Sequence, residues 1–249
     1  AVYTPHGLAV SDRISPVQGR VFTIAERAAA RWCRAIICVS EAERQLALDK
    51  GIAAPEKLHV IHNGVKDSPL RAEVERTPVA LVSISRFEPP KDFETLFAAL
   101  SLLGYEDWLK LTVIGGGAVP ASLPKRVVSL GYVPDPAPEL ARAQIFVLSS
   151  RSEGFPRSIL EAMRSGLPVV ASDVGGVREA VRHEGTGLLV PPRDPAALAA
   201  ALKRLMNSVS ERQRMGSEGR RIFGRQFVAD AMIFNTLQLY ATIVGVHAS

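Results

Sequence analysis

From Val79 onward the chain repeats one theme. A short apolar run with no polar alternation is followed by a helical pattern, then by another apolar run. The runs are VALVSIS, KLTVIGG, RVVSLGY, QIFVLSS, PVVAS and GLLV, ending at Val190. Strands of this kind are buried on both faces, and helices between them make a parallel, doubly wound α/β sheet. Upstream, AIICVS (Ala35 to Ser40) and LHVIHNGV (Leu58 to Val65) read the same way. Helices are expected over Val17–Arg34, from a Ser40 cap to Lys50, over Asp92–Leu103, after Asp194–Pro195, and over Phe227–Val246. Lys66 to Pro78, charged and with two prolines, suits a linker. The crossover from Gly117 to Arg126 is near the minimum length and carries Pro120 and Pro124, so one sheet face is expected to be thinly covered.

One unit joins this architecture to chemistry. Ser150 to Gly176, SRSEGFPRSILEAMRSGLPVVASDVGG, is a loop, a helix with Ile159, Leu160 and Met163 inward, and a strand. Ligands of open parallel sheets sit at the carboxyl ends of such strands. Glu153 lies in the loop and Glu161 in the helix, about 7.5 Å along the axis from Pro156. Carboxylates so spaced suit two ends of one extended ligand, and the helix start between them suits a phosphate. Arg86 stands just after a strand and Lys91 just before a helix in SRFEPPKDFETL, a pair of cations suited to a diphosphate.

EGFPRSILE, followed by LEAM, SGLPVVASDVGG and GTGLLVPP, resembles the E-x7-E region of retaining glycosyltransferases of the GT-B fold, glycosyltransferase family 4 in particular. The resemblance implies a hexosyltransferase-type enzyme that moves a sugar from a nucleoside diphosphate sugar to a glycan, lipid-linked or small-molecule acceptor. It implies that Glu153 with the backbone of Gly154, Phe155 and Pro156 holds the sugar and that Glu161 binds the ribose. Arg86 and Lys91 would stabilise the departing diphosphate, and His6, in TPHG, would face the sugar from the N-terminal side. His6 otherwise reads as a structural histidine. Gly116 and Gly117 would approach the base or diphosphate, and backbone groups around Val133 would read the base. The family commonly has Gly where Asp92 follows Lys91. Asn63 and Gly64 read either as neighbours of an interdomain cleft or as an ordinary turn.

The same resemblance divides the chain into residues 1–66, the last part of an N-terminal acceptor domain, residues 67–226, a Rossmann-like donor domain, and residues 227–249, a helix crossing back. Most of an N-terminal domain is then expected to be absent, which leaves a non-catalytic nucleotide-sugar-binding module as the alternative. The exposed helix faces would suit a homo-oligomer.

Composition limits the other classes. The net charge is +5 and the pI about 9.5, which suits anionic partners. Arg204, Arg212, Arg214, Arg220, Arg221 and Arg225 read either as a solvated helix face or as a peripheral membrane contact. No nucleic-acid motif accompanies them. Cys33 and Cys38 read as free thiols of a reducing, cytoplasmic compartment, and no run of 18 apolar residues occurs. There is no D-x-D for a metal-held diphosphate and no G-x-S-x-G nucleophile, so a metal-independent reaction with no cofactor is expected. Glu153 and Glu161 as a glycosidase pair would fit the neighbouring Arg and Lys poorly.

Overall fold

The computed structural model describes residues 1–8, 16–104 and 109–245. A small unit comes first: β1 (Val2–Tyr3), α1 (Pro16–Trp32), β2 (Ala35–Cys38), α2 (Glu41–Asp49) and β3 (Leu58–Val60). Its strands pair in parallel in the order β1-β2-β3. Leu8, Ala30, Ile36, Cys38, Ala47, Ile52 and Leu58 form its core. Burial pushes the Cys38 thiol up to about 12, so it is an inert core group.

The second unit contains β4 (Ala80–Ile84), α3 (Phe93–Leu102), β5 (Lys110–Ile114), β6 (Val127–Ser129), α4 (Ala137–Ala141), β7 (Ile145–Leu148), α5 (Arg157–Arg164), β8 (Val169–Ser172), α6 (Val177–Ala180) and β9 (Gly187–Val190). It closes with α7 (Pro195–Met206) and α8 (Val209–Gln226), and α9 (Ala229–Val244) returns to the first unit, where the Ile243 carbonyl accepts from Arg34 and the Met232 sulfur from the Gly64 N–H. The apolar runs pair in parallel in the order β6-β5-β4-β7-β8-β9. Counted from β4, this is 3-2-1-4-5-6, the strand order of doubly wound dinucleotide folds. The order reverses between β4 and β7, so the crevice lies beyond their carboxyl ends.

Both sheet faces are covered, as unalternated strands require. One core gathers Val82, Phe146 and Leu148 with Ile159, Leu160 and Met163 of α5 and Phe223 of α8. The other gathers Leu81, Val113 and Val147 with Leu96 of α3 and Leu198, Leu202 and Leu205 of α7. The expected caps are present: Ser40 accepts from the Glu43 N–H and Asp194 from the Ala197 N–H. The residues between β5 and β6 contain no helix, and Val119 there, Val128 in β6 and Leu130 and Tyr132 after it are exposed.

The final helix, expected to reach Val246, extends to Val244, and Val246 lies outside the described residues. It turns Ile233, Phe234, Leu237, Tyr240 and Val244 outward. The arginines of α8 are not a uniformly solvated face. Arg212 is wholly buried and donates to the Val74, Leu205 and Met206 carbonyls, tying the segment before β4 to the α7–α8 corner. Arg204 pairs with Glu184 and Glu211, Arg220 with Asp67, and Arg221 with Glu218. Among the described residues no helix is long and apolar enough to cross a membrane.

Candidate functional site

A cleft of about 1130 Å³ opens at the β4/β7 crevice, where the first unit leans over the second. Arg86, Lys91, Gly116, Val133, Glu153, Gly154, Phe155, Pro156, Glu161 and His6 all line it. Residues widely separated in sequence are therefore brought together.

Each strand end delivers its group in a different state. After β4, Arg86 projects outward, 67% exposed in its side chain, and pairs with Glu88 at 3.1 Å. Lys91 closes the short helical turn Pro89–Lys91 and reaches across to Glu153 at 2.6 Å. Ser150 donates to the same Glu153 oxygen, also at 2.6 Å. This pair is the more secluded, with side-chain exposures of 22% for Lys91 and 10% for Glu153.

The loop that carries Lys91 is pinned from β7. The Ser149 hydroxyl donates to the Lys91 and Asp92 carbonyls, and the Arg151 N–H to the Pro90 carbonyl. Asp92 is left-handed, φ 50°, which explains why glycine suits the position and why Asp tolerates it. At the N-terminus of α3 its carboxylate accepts from Arg151 at 2.7 Å and from the Thr95 hydroxyl. Burial raises the Asp92 pKa, but the hydrogen bonds from Arg151 and Thr95 outweigh it and hold the carboxyl below its ordinary value.

Glu161 presents the opposite case. No hydrogen bond or ion pair from a described residue reaches it, and burial pushes its pKa up against the opposing fields of Arg164 and Arg157. Between the two glutamates, α5 begins after Pro156 without a side-chain cap, so its first N–H groups remain for a ligand.

One placement departs from expectation. Gly117 is not in the cleft: it bridges to Phe87, and a Cβ there would lie 2.9 Å from the Phe87 nitrogen, so its backbone approaches its own chain. The Phe155 side chain is buried, stacked on His62 at 4.5 Å and tilted against Phe227 at 5.5 Å, leaving only its backbone for the cleft. Asn63 proves to be a cleft residue, donating to the Phe155 carbonyl at 2.8 Å. Tyr132, Arg157, Ser158 and Met232 also line the cleft. Arg157 and Ser158 were legible as the first helical residues after Pro156, whereas Met232 of α9 had no local signal. Among the described residues no cluster of His, Cys, Asp or Glu could hold a metal ion.

Comparison with known proteins decides the family. The family model described as "Glycosyl transferases group 1" matches residues 78–208, over half of the chain, and "Glycosyltransferase Family 4" matches residues 1–68. The chain belongs to the group 1 glycosyl transferases. Among curated relatives, the D-inositol 3-phosphate glycosyltransferase of Kineococcus radiotolerans is 32% identical, over 95% of this chain and 63% of its own length. The MMP alpha-(1->4)-mannosyltransferase of Mycolicibacterium hassiacum is 28% identical, over 90% and 58%. The chain thus spans about three-fifths of these relatives' length. Its fold matches HepE of Anabaena, solved with UDP and glucose, at a TM-score of 0.83 and 23% identity, covering 96% of this chain and 71% of that one. Sucrose-phosphate synthase of Thermosynechococcus elongatus matches at 0.84 and 25% identity, covering 99% and 68%. The parallel-sheet GT-B architecture expected from the sequence is therefore the fold of this chain.

Proposed function

We propose that the protein is a retaining glycosyltransferase that takes its sugar from a nucleoside diphosphate sugar, with the β4/β7 cleft as the donor site. The observation that carries this reading is the convergence of Arg86, Lys91, Glu153 and Glu161 on one crevice, around the open N-terminus of α5. Two cations and unpaired helix N–H groups match a diphosphate. An acceptor-only carboxylate about 7.5 Å along the helix matches a ribose diol.

In this reading the diphosphate displaces two internal pairings. Arg86 leaves Glu88, and Lys91 turns from Glu153 toward the phosphates, which frees Glu153 for the sugar hydroxyls. As the bond from the anomeric carbon to the β-phosphate oxygen breaks, the leaving group gains charge where Arg86, Lys91 and the helix dipole stand. The acceptor hydroxyl bonds to the same face, and its proton passes to the departing phosphate, so no side-chain nucleophile is required. His6 faces the sugar end from the N-terminal wall. The acceptor, a glycan, lipid-linked or small molecule, would enter from that wall. The UDP and glucose bound by HepE support a donor of this class. A cytoplasmic site of action follows from a soluble nucleotide donor.

Calorimetric titration with UDP, GDP and ADP tests the donor site. One nucleotide should bind, and Glu161→Ala and Arg86→Ala should each weaken it by about tenfold or more, the loss expected for a charged hydrogen bond. No binding of any nucleotide to folded protein, or binding indifferent to both substitutions, would overturn the reading.

A further inference from the structure

The N–H groups that open α2 are only partly satisfied within their own unit. The Ser40 hydroxyl takes only the Glu43 N–H, at 3.1 Å. The first two helical N–H groups, of Glu41 and Ala42, donate at 2.8 and 3.0 Å to the two carboxylate oxygens of Glu179, which lies on α6 of the other unit. His62 Nε2 lies 2.9 Å from the same carboxylate. A helix of the N-terminal unit is thus capped by a charged group of the other unit, and two orphan donors and the helix dipole call for the two acceptor atoms Glu179 brings.

Beside this clasp the units meet where a glycine leaves no room for a side chain. A Cβ on Gly176 would fall 2.0 Å from the Gly154 carbonyl oxygen and 2.7 Å from the Ser40 Cβ. From α2 the contact continues to the cleft. Buried Glu43 accepts the Val39 and Gly7 N–H groups, both at 2.7 Å, and Gly7 follows His6. His62 stacks on Phe155, and its neighbour Asn63 holds the Phe155 carbonyl. Glu179 itself does not line the cleft.

We propose that Glu179 is a positioning residue, which by capping α2 and holding His62 sets the His6 and Asn63 wall against the donor-binding wall. This rests on the reading of the cleft as a nucleotide-sugar site. Donor capture belongs to residues after β4 and β7, so it does not require Glu179. Transfer requires the sugar end to be closed by the opposite wall, so it does.

The test uses the full-length protein with Glu179→Ala, Glu179→Gln and Glu179→Asp. In Glu179→Ala the donor KM should stay within about twofold while kcat falls about 10–100-fold, the cost of misplacing one wall by about an ångström. Glu179→Gln, with one acceptor oxygen, should lose part of kcat, and Glu179→Asp should recover more of it than Gln does. Hydrogen exchange at the Glu41 and Ala42 amides should rise by about tenfold or more in Glu179→Ala. An unchanged kcat, or kcat and donor affinity falling together, would overturn the proposal. If the wild type neither transfers nor binds a nucleotide, the donor-site reading fails alone. The clasp is then judged by energy transfer between fluorophores placed through unnatural amino acids at Gln45 and Lys203: a wider distance distribution in Glu179→Ala supports it, and an unchanged one overturns it.

Discussion

On the C-terminal wall of the cleft, charged groups stand at the ends of strands that a six-stranded sheet fixes from both sides. On the N-terminal wall a three-stranded sheet carries His6 and Asn63, and two carboxylates, Glu43 and Glu179, hold that wall by bonding to backbone N–H groups. The first wall is rigid because of its core. The second is placed by these polar contacts, those of Glu179 spanning the two units, and by Val39 and His62 packed against Phe155 and its neighbours. Substitutions on the two walls should therefore fail differently, the first by losing ligand contacts and the second by losing placement.

Glycines give the largest contrast. Gly176→Ala forces a methyl group against the Gly154 carbonyl of its own unit and the Ser40 side chain across the seam, where neither has room to yield. It should cost about 2–4 kcal/mol and lower Tm by about 5–12 °C in thermal unfolding. Gly116→Ala on the C-terminal wall meets no atom within 4 Å, since its open side faces the cleft. It should leave Tm within about 2 °C and weaken nucleotide binding. Equal stability losses at the two positions would erase the distinction between the packed seam and the open cleft.

The two cations of the C-terminal wall sharpen the comparison at smaller scale. Lys91→Met leaves Glu153, 10% exposed in its side chain, with only the Ser150 hydroxyl. It should cost about 2–3 kcal/mol in urea unfolding, because an uncompensated secluded charge remains. Adding Glu153→Gln should recover most of that loss. Arg86→Met breaks only a solvent-exposed pair with Glu88 and should change stability by about 0.5 kcal/mol or less. Both single substitutions should impair nucleotide binding, so stability separates two residues that activity does not.

What could be read from the sequence follows the same division. Strand ends, the α5 start, and the positions of Arg86, Lys91, Glu153 and Glu161 are encoded within short windows, where apolar period, caps and glycine carry the signal. The tie from Glu179 to α2 spans 138 and 137 positions, and that from Asn63 to the Phe155 carbonyl 92. No local pattern distinguishes such a glutamate from an exposed helix residue. Arg212 was misread for this reason: charge and helical spacing suggested a solvated face, whereas its guanidinium satisfies three carbonyls at a buried corner. Gly117 failed in the opposite way. Its three-glycine context suggested a ligand, but the close approach that excludes a side chain is to Phe87.

The smallest expected effect concerns the two glutamates of the C-terminal wall. Glu153 has its charge compensated by Lys91, while Glu161 is held above its ordinary value of 4.5, chiefly by burial. A carboxyl with a raised native pKa binds its proton more tightly when folded than when unfolded. Its contribution to stability is therefore fully present below 4.5 and is lost as pH rises through the native value. Nucleotide binding has the reverse dependence, because an ionised Glu161 is the better acceptor for ribose hydroxyls, so affinity should rise across that same window. Glu161→Gln should flatten both profiles, raising stability slightly at neutral pH while weakening binding there. Calorimetric titration and urea unfolding from pH 4.5 upward would read the two opposed slopes. If the slopes persist in Glu161→Gln, the titrating group lies elsewhere and the contrast between the two glutamates does not hold.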